Sequence, residues 1–192
     1  VLENRFEGML LQINNIDVWV KLIGEFNAYN ILSTYAVAKQ FDFEDQEILT
    51  ALSMLNSAEG RFQVIRNDNS IIGIVDYAHT DDALRNILTA INAIRDNSDG
   101  LITIVGCGGD RDKKKRSLMA QVACNLSTQV IITSDNPRSE DPEFIIKDMM
   151  NGLDPFQKKK VLVITDRRQA IMTAGKLVKK DDIILLAGKG HE

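Results

Sequence analysis

The amino-acid sequence predicts an α/β protein built on a doubly wound, mostly parallel sheet. From residue 73 onward, short apolar runs rich in Val, Ile and Leu alternate with segments whose apolar residues recur at helical spacing. Five such runs separated by four helices imply parallel strands joined by right-handed crossovers. The predicted strands are residues 73–75, 101–105, 130–133, 161–164 and 183–187. The predicted helices pass through residues 84–94, 115–126, 144–149 and 170–177.

The segment before residue 57 shows a different pattern. Mixed apolar and polar residues around Trp19 predict one hairpin within residues 6–23, and helical spacing predicts helices at 31–41 and 44–55. The small, polar stretch 57–61 separates this part from the alternating pattern that follows. We therefore expect residues 1–59 to end one domain and residues 60–192 to form another.

Composition limits the class of protein. With 192 residues, of which 44% are hydrophobic and 26% charged, the chain suits a soluble, globular domain plus a piece of another. A net charge of −4 argues against a general nucleic-acid-binding surface, despite local basic runs at 113–116 and 158–160. No apolar segment approaches the roughly 18 to 20 residues of a membrane helix, and no signal peptide opens the chain.

The cysteines and the two ends of the sequence carry further expectations. Cys107 and Cys124 lack metal-ligand spacing, so we expect reduced thiols in a cytoplasmic protein. Our working expectation for the oligomeric state is a monomer. Val1 in place of Met, and the abrupt stop after Glu192, suggest an excised fragment.

The loop after the third predicted strand carries the most informative side chains. Pro137 fixes its own φ and restricts Asn136, which holds the neighbouring side chains in place. Arg138 offers a fork of donors suited to a carboxylate or a phosphate. The alternative is a surface turn that enters a helix, with Asp141 as the cap and Pro142 at the first position. Both can hold together, because the cap accounts for Asp141 and Pro142 but leaves Asn136 and Arg138 unexplained.

Polar loops follow four of the predicted strands and therefore share one edge of the sheet, where open α/β sheets bind ligands. These loops are residues 76–79, 106–112, 134–142 and 188–192. We expect side chains from all four loops to converge on one crevice. The side chains are Asp76, Arg111, Asn136, Arg138 and Glu192.

Other residues in these loops have both a functional and an ordinary explanation. The glycine-rich loop 106–109 brings backbone N–H groups near an anion, but it is neither a P-loop nor a GxGxxG motif and can be a tight turn. Asp76 and His79 can form an acid/base pair, or a helix cap followed by a packed histidine. Lys115 can serve the glycine loop electrostatically, although such a basic run is more often a solvated face. Cys107 has no identified base nearby, so we assign no catalytic nucleophile.

Asn27 and Asn30 lie three residues apart near the start of a predicted helix, so their amides can face the same way. An amide pair can read a ring that presents both a donor and an acceptor, such as adenine. The simpler alternative, which the spacing alone favours, is that Asn27 caps the helix.

Six motifs occur together and in order over nearly the whole chain. They are Phe26-Asn27-Ala28-Tyr29-Asn30, Gly60-Arg61-Phe62, Val75-Asp76-Tyr77-Ala78-His79-Thr80, Gly106-Cys107-Gly108-Gly109-Asp110-Arg111-Asp112 with Lys115-Arg116, Asp135-Asn136-Pro137-Arg138 and Gly188-Lys189-Gly190-His191-Glu192. This set resembles the C-terminal part of the Mur ligase family. The Asp-Asn-Pro-Arg form is similar to the branch that uses meso-2,6-diaminopimelate rather than L-lysine.

The resemblance implies an ATP-dependent, amide-forming ligase of peptidoglycan synthesis. In this family ATP, with Mg²⁺, phosphorylates the peptide carboxylate of a substrate such as UDP-MurNAc-L-Ala-D-Glu. The amino group of the incoming amino acid then attacks the acyl phosphate through a tetrahedral intermediate. Asn27 and Asn30 match positions near the adenine, and Arg61 and Asp76 match positions that grip the nucleotide.

Six residues match the family's diaminopimelate pocket, namely Arg111, Asp135, Asn136, Arg138, Gly188 and Glu192. The far end of diaminopimelate carries a carboxylate and an ammonium group. Arg138 can fork to the carboxylate, while Glu192 and the Gly188 carbonyl take the ammonium. Lysine has no distal carboxylate and would leave Arg138 unpaired, a mismatch that can discriminate by about 10⁴ to 10⁵.

The chain also departs from the family's pattern. By the resemblance, residues 1–59 are only the end of the central, ATP-binding domain, and residues 60–192 are a C-terminal domain that is cut short. The P-loop, the magnesium ligands, the modified lysine and the catalytic histidine are absent, as is the uridine-binding domain. We therefore expect no ligase turnover from these 192 residues alone. Asp81 stands where the family usually has proline.

Two alternative functions stay open. One is a non-catalytic binding module with a Rossmann-like sheet that senses a nucleotide or an amino acid. The other is a family member that adds L-lysine.

Overall fold

The computed structural model describes residues 1–67 and 70–190 and divides the chain into two compact units. The first unit is Val1–Ala58 and the second is Glu59–Glu192. Each unit has its own sheet and its own helices. The sheet of the second unit carries the loops that the sequence predicts to form a site.

The first unit is a three-stranded antiparallel sheet with two helices. The strands are β1 (Glu3–Arg5), β2 (Gly8–Ile13) and β3 (Ile16–Val20), and the helices are α1 (Glu25–Lys39) and α2 (Asp45–Met54). Strands β2 and β3 form the predicted hairpin. Their two-residue turn has Asn14 at φ 49° and Asn15 at φ 62°, the left-handed backbone that tight hairpin turns require. Strand β1, which the sequence did not predict, pairs with β2.

The core of the first unit lies between the sheet and the helices. Met9 and Val20 are fully buried, and they pack in one cluster with Ile31 of α1 and Leu49 of α2. The hydroxyl of Tyr35, also buried, donates to Asp45 at the start of α2 at 2.8 Å. Alternation along the strands and helical spacing along α2 thus bring one apolar face of each element together.

Helix α1 begins at Glu25, six residues before the predicted start at residue 31. Gly24, with φ 90°, ends the extended chain and stands at the N-cap. The helix buries only Ile31 and Tyr35, so its first turn carries no apolar stripe that would reveal it. The second predicted helix is confirmed as α2.

The second unit contains one six-stranded sheet with helices on both faces. Its strands are β4 (Gln63–Arg66), β5 (Ile72–Asp76), β6 (Leu101–Val105), β7 (Gln129–Ile132), β8 (Val161–Val163) and β9 (Ile183–Ala187). Its helices are α3 (Asp81–Ile94), α4 (Lys114–Leu126), α5 (Pro142–Asn151), α6 (Pro155–Lys158) and α7 (Arg167–Leu177). The strand order is β4-β5-β9-β6-β7-β8. The predicted mostly parallel, doubly wound sheet is confirmed.

Two elements of the second unit were not predicted. Strand β4 pairs antiparallel with β5 at the edge of the sheet, and α6 is a single turn that Asp154 caps. The other five strands are parallel. Strand β6 is buried along its whole length, as expected for a central strand with helices on both faces. Ile102 and Ile104 pack with Ala170 and Ala174 of α7.

Two further properties concern the length and apolar character of the helices and the state of the two cysteines. Within residues 1–67 and 70–190, no helix combines the length and the apolar character needed to cross a bilayer. Cys107 and Cys124 are buried, free thiols, as the sequence predicts.

Candidate functional site

The carboxyl ends of β5, β9, β6 and β7 lie side by side and present their following loops at one edge of the sheet. Register pairs Asp76 with Ala187 and Val105 with Ile132, so these strands end at nearly the same level. Past the strand ends, the Gly188 amide donates to the carbonyl of Asp76 at 3.0 Å. The predicted common edge is therefore confirmed for the loops that the structure describes.

A cleft of about 200 Å³ lies at this edge. Its lining residues are Tyr77, His79, Gly106, Cys107, Gly108, Arg111, Asp112, Lys115, Met119, Asp135, Asn136, Arg138 and Gly188. The structure thus brings Arg111, Asp135, Asn136, Arg138 and Gly188 together. Glu192, the remaining predicted member, lies outside the described residues. The lining contains three cationic side chains, of which Arg111 and Lys115 follow β6 and Arg138 follows β7.

Asp135 and Asn136 lie near the start of the loop that follows β7. The Asp135 carboxylate accepts from the Asn136 backbone amide at 2.8 Å, and the Asn136 side-chain oxygen accepts from Lys189 at 3.3 Å. Lys189 also lies 3.9 Å from the Asp135 carboxylate. Gly188 adopts φ 93°, which favours glycine, and a side chain there would come within 3.3 Å of Asp135. These contacts join the loops after β7 and β9.

Arg138 is exposed and has a left-handed backbone, with φ 51°. Its Nη1 donates to the carbonyl of Gly109 at 2.8 Å and lies 3.5 Å from the carbonyl of Asn136. These bonds use one of the three guanidinium nitrogens. The guanidinium is therefore oriented by backbone groups of two loops, and it faces the cleft.

The glycine loop packs against the Pro137 turn. Gly109 donates from its amide to the carbonyl of Asn136 at 2.9 Å, and a Cβ at Gly109 would lie 1.9 Å from the Pro137 carbonyl oxygen. No side chain fits at that distance. The tight strand-to-helix turn is therefore confirmed, and the approach of an anion to the backbone N–H groups stays a prediction.

The basic run 113–116 does not behave as one solvated face. Lys115 is half-buried and lines the cleft, whereas Lys113 and Lys114 are exposed. Arg116 is only 1% exposed and pairs with Glu140 and Asp148. The prediction of a solvated face is wrong for Arg116, because the helical register of α4 turns this side chain inward.

Asp76 does not line the cleft, contrary to the prediction. It is the last residue of β5, and its two carboxylate oxygens accept from the backbone amides of Phe62 and Ala78, each at 2.8 Å. Burial raises the pKa of Asp76, while these two amides and Arg61 oppose the shift. Arg61 stacks over the ring of Tyr77 at 4.7 Å.

Neither alternative for Asp76 and His79 holds. His79 is exposed, and its Nδ1 lies 3.0 Å from the Tyr77 carbonyl. Thr80, whose hydroxyl accepts from the Ala83 amide at 3.2 Å, caps α3 in place of Asp76. The Asp76 carboxylate and the His79 ring thus have separate partners, and His79 is not packed in the core.

Asn27 and Asn30 face the same way in the first unit. Asn30 donates to the side-chain oxygen of Asn27 at 3.0 Å, and Asn27 donates to the Ile23 carbonyl at 2.8 Å. The alternative that Asn27 caps α1 is wrong, because the helix begins two residues earlier at Glu25.

Cys107 lies in the cleft wall but is not activated. It is 8% exposed, and its thiol lies 3.6 Å from the sulfur of Met119. Burial raises the pKa of the thiol to about 12, so the thiol stays protonated at neutral pH.

Sequence reasoning missed two charged residues that support the site. Arg167, at the start of α7, donates through Nε to the Ser134 carbonyl at 3.0 Å and through Nη1 to the Ala187 carbonyl at 3.3 Å. It thereby joins the ends of β7 and β9, and burial lowers the pKa of its guanidinium. Glu140, inside the loop after β7, accepts from Arg116 and from the Asp110 amide. The available sequence signal for Arg167 was its position directly after Asp166, the residue that caps α7.

Comparison with known families identifies the class. The model of the Mur ligase, glutamate ligase domain matches residues 60–190. The chain therefore belongs to the Mur ligase family, as the six motifs predicted.

Individual relatives carry a more specific name. The UDP-N-acetylmuramoyl-L-alanyl-D-glutamate--2,6-diaminopimelate ligase of Bacteroides fragilis is 52% identical over 192 residues, which are 100% of this chain and 40% of the relative. The ligase of the same name from Clostridioides difficile is 42% identical over 175 residues, 91% of this chain and 36% of the relative. The chain thus spans about 40% of the length of the curated relatives it matches most fully.

Solved structures agree with the fold. A structure of UDP-N-acetylmuramoyl-L-alanyl-D-glutamate--2,6-diaminopimelate ligase matches with a TM-score of 0.69 and 40% identity, over 99% of this chain and 39% of the other. Folylpolyglutamate synthase of Mycobacterium tuberculosis, complexed with ADP and AMPPCP, matches with a TM-score of 0.75 and 20% identity, over 98% of this chain and 45% of the other. The second likeness shows the fold alone.

Proposed function

We propose that this chain provides the amino-acid-binding part of an ATP-dependent ligase that joins meso-2,6-diaminopimelate to UDP-MurNAc-L-Ala-D-Glu in peptidoglycan synthesis. The observation that carries the proposal is the cleft that collects Arg111, Asp135, Asn136, Arg138 and Gly188 at one sheet edge. The identity of 50 to 52% with ligases of that name supports the choice of substrate. Because the chain spans 40% of those relatives, the reaction of the whole protein is part of the proposal.

In the proposed reaction, ATP transfers its γ-phosphoryl group to a peptide carboxylate of UDP-MurNAc-L-Ala-D-Glu. The amine of diaminopimelate then attacks the acyl carbon, loses a proton, and expels phosphate from the tetrahedral intermediate. The products are the amide, ADP and phosphate. The role of this chain is to place the amine, because positioning two reactants converts an intermolecular attack into an effectively intramolecular one.

The two distal charges of diaminopimelate suit the two sides of the cleft. We assign the distal carboxylate to Arg138, whose planar fork can bind both oxygens, with Arg111 as the second cation. We assign the distal ammonium to the Gly188 carbonyl and to Glu192, which lies outside the described residues. Asp135 and Asn136 would hold the loop that connects these two ends.

Selectivity follows from the same assignment. L-Lysine carries the distal ammonium but no distal carboxylate, so it would bring no carboxylate to the guanidinium of Arg138. Sites built to pair a polar group reject an analogue that lacks it by as much as about 10⁴ to 10⁵. We propose the diaminopimelate reaction over the lysine reaction on this ground.

The nucleotide side of the proposal uses other residues. Asn27 and Asn30 present amides side by side on α1 and would contact the adenine, whereas Arg61 and Asp76 would contact the rest of the nucleotide. Asp76 has both oxygens engaged by backbone amides, an arrangement that suits ribose hydroxyls better than a metal ion. Among the described residues, no cluster of three or more His, Cys, Asp or Glu could hold a metal. From the resemblance to the family, we place the Mg²⁺ ligands in the part of the ligase that this chain does not span.

Lys115 has an electrostatic role in the proposed reaction. Lys115 lines the cleft beside the glycine loop, where its charge would stabilise the developing negative charge of the tetrahedral intermediate.

We propose a cytoplasmic, monomeric enzyme. Its partners would be these small molecules, with neither nucleic acid nor membrane among them.

The test is an omission experiment on the full-length gene product that contains this chain. With ATP, Mg²⁺, UDP-MurNAc-L-Ala-D-Glu and meso-diaminopimelate present, we expect ADP and a product heavier by one diaminopimelate residue. Omission of either UDP-MurNAc-L-Ala-D-Glu or meso-diaminopimelate should abolish amide formation. The 192-residue chain assayed alone should form no ADP in any mixture. Absence of product from the complete mixture would overturn the proposed function.

A further inference from the structure

We propose that Arg116, Glu140, Asp110 and Ser139 form a positioning network that holds Arg111 and Arg138 at a fixed separation and thereby sets the selectivity for an amino acid with a distal carboxylate. The identity of the ligand rests on the proposed function. The network itself rests on contacts within the second unit. None of its four members is assigned to contact the substrate.

The network crosses between the glycine loop and the loop after β7. The Glu140 carboxylate accepts from the Asp110 backbone amide at 2.7 Å and from Arg116 Nη2 at 2.7 Å, through the same oxygen. The Asp110 carboxylate in turn accepts from the Ser139 hydroxyl at 2.7 Å and from the Ser139 amide at 3.2 Å. Each loop therefore supplies a carboxylate that binds a backbone amide of the other loop.

Each anchor of the network adjoins one of the two cleft arginines. Asp110 precedes Arg111, and Ser139 follows Arg138. Asp110 has φ 53° and Arg138 has φ 51°, a left-handed conformation that is uncommon for residues other than glycine, and especially so for a long side chain such as arginine. Three hydrogen bonds between the loops hold Asp110 and Ser139 in this geometry, and a fourth ties Glu140 to Arg116 of helix α4. Rigid support of this kind improves binding, because the side chains need not be ordered when the ligand arrives.

The charged groups of the network are paired with one another and do not need a ligand to stay ionised. Arg116 is 1% exposed, and it ends at two carboxylates, Glu140 and Asp148. The Arg116 hydrogen bond and the Asp110 amide lower the pKa of Glu140 to about 2, so this carboxylate is ionised at neutral pH. A buried guanidinium with a fixed carboxylate partner supplies geometric specificity more than stability. Arg116 thus anchors Glu140 to the body of helix α4.

The two carboxylates on Arg116 form a natural matched pair. Glu140 and Asp148 bind the same guanidinium at 2.7 and 2.8 Å. Glu140 also accepts from the Asp110 amide in the glycine loop, whereas Asp148 lies on α5 and, among residues 1–67 and 70–190, binds Arg116 only. Glu140→Gln and Asp148→Asn each remove one negative charge with little change of shape. A purely structural role of the Arg116 ion pairs predicts the same outcome for both variants.

The first experiment measures the KM for meso-diaminopimelate, the KM for ATP, and the ratio of kcat/KM for diaminopimelate over L-lysine in the full-length gene product. For Glu140→Gln we expect a KM for diaminopimelate raised by about tenfold, the effect of one charge-assisted hydrogen bond, and a lower ratio over lysine, with less than about twofold change in the KM for ATP. For Asp148→Asn we expect all three quantities within about twofold of wild type. Equal effects of the two variants would overturn the positioning role.

The second experiment separates this inference from the proposed function. Hydrogen exchange in the 192-residue chain reports the Asp110 and Ser139 amides without any ligand. We expect Glu140→Gln to accelerate exchange of both amides, relative to the core amides of β6, and Asp148→Asn to leave them unchanged. If the wild-type enzyme used neither amino acid, the proposed function would be wrong. The exchange rates of the Asp110 and Ser139 amides would still test the network. Unchanged exchange in Glu140→Gln would refute the network.

Discussion

The guanidinium of Arg138 donates through Nη1 to the carbonyl oxygen of Gly109 at 2.8 Å. This hydrogen bond is one of several that join the loop after β7 to the loop after β6, and the Gly109 amide donates in return to the Asn136 carbonyl at 2.9 Å. The side chain that we propose to bind the distal carboxylate is therefore oriented before a ligand arrives. Orientation in advance lowers the entropic cost of binding.

The first prediction concerns Arg138 itself. Arg138→Ala should raise the KM for meso-diaminopimelate by about 10- to 100-fold, the effect of losing hydrogen bonds to a charged group, while the KM for ATP changes little. Arg138→Lys keeps the charge but loses the planar fork, so it should recover only part of the loss. Steady-state kinetics on the full-length gene product measure both. An equal rise in the two KM values for Arg138→Ala would refute the assigned role.

The second prediction uses two glycines with opposite surroundings. Gly109→Ala would place a Cβ 1.9 Å from the Pro137 carbonyl oxygen, so the two loops would have to separate. We expect weaker diaminopimelate binding and a lower melting temperature. Gly175→Ala, in the interior of α7, meets nothing within 4 Å, and we expect stabilisation of about 0.5–1 kcal/mol. Thermal unfolding followed by circular dichroism tests the pair, and tolerance of Gly109→Ala would contradict the packing argument.

The third prediction concerns Arg167 and the strand ends it joins. Arg167→Met would leave the carbonyls of Ser134 and Ala187 without this donor, and we expect a loss of about 1–2 kcal/mol in the free energy of unfolding. The loss is moderate because the variant also removes a buried charge whose Nη2 has no hydrogen-bond partner among the described residues. Arg168→Met, at the exposed neighbouring position, is the control. Urea unfolding that gives the same stability for both variants would contradict this role.

The fourth prediction is a pH dependence in the first unit. A hydrogen bond from Lys39, followed by those from Tyr35 and Asn14, lowers the pKa of Asp45 to about 2. Because this folded-state pKa lies below the unfolded value of about 3.9, the stabilisation is present above pH ~4 and is lost as the pH falls toward 2. Trp19, the one tryptophan, reports this unit by fluorescence.

Asp45→Asn should therefore lower stability at neutral pH and flatten its decline between pH 4 and 2. Asp42→Asn, at an exposed turn position, is the control and should keep the wild-type slope. A wild-type slope in Asp45→Asn would show that this carboxylate is not the group that titrates.

The sequence predicted the parts of the fold that follow from repeated local patterns. The alternation of apolar runs and helical spacing located five of the six strands in the second unit, and strand ends placed Arg111, Asn136 and Arg138 at one edge. Strand β4 escaped because it is a short edge strand with two exposed residues out of four. Helix α1 began earlier than predicted because its first turn contains no fully buried apolar residue.

Side-chain partners were much less predictable than strand positions. Asp76 was expected in the crevice, but backbone amides of Phe62 and Ala78 capture its carboxylate, and the Phe62 amide is distant in sequence. Arg116 looked like part of a solvated run, but Glu140 and Asp148 meet it only after α4 and α5 pack. Contacts of this kind depend on tertiary packing, which local pattern does not encode. The roles of Asn27, Asn30, Arg61 and the cleft residues remain predictions.

The most direct test of the account is phosphate release by the full-length gene product with ATP, Mg²⁺ and UDP-MurNAc-L-Ala-D-Glu, in parallel with meso-diaminopimelate and with L-lysine. The account predicts release with diaminopimelate only, because only that amino acid brings a carboxylate to Arg138. Equal release with L-lysine would keep the ligase but contradict the proposed role of Arg138, and release with neither amino acid would contradict the proposed reaction.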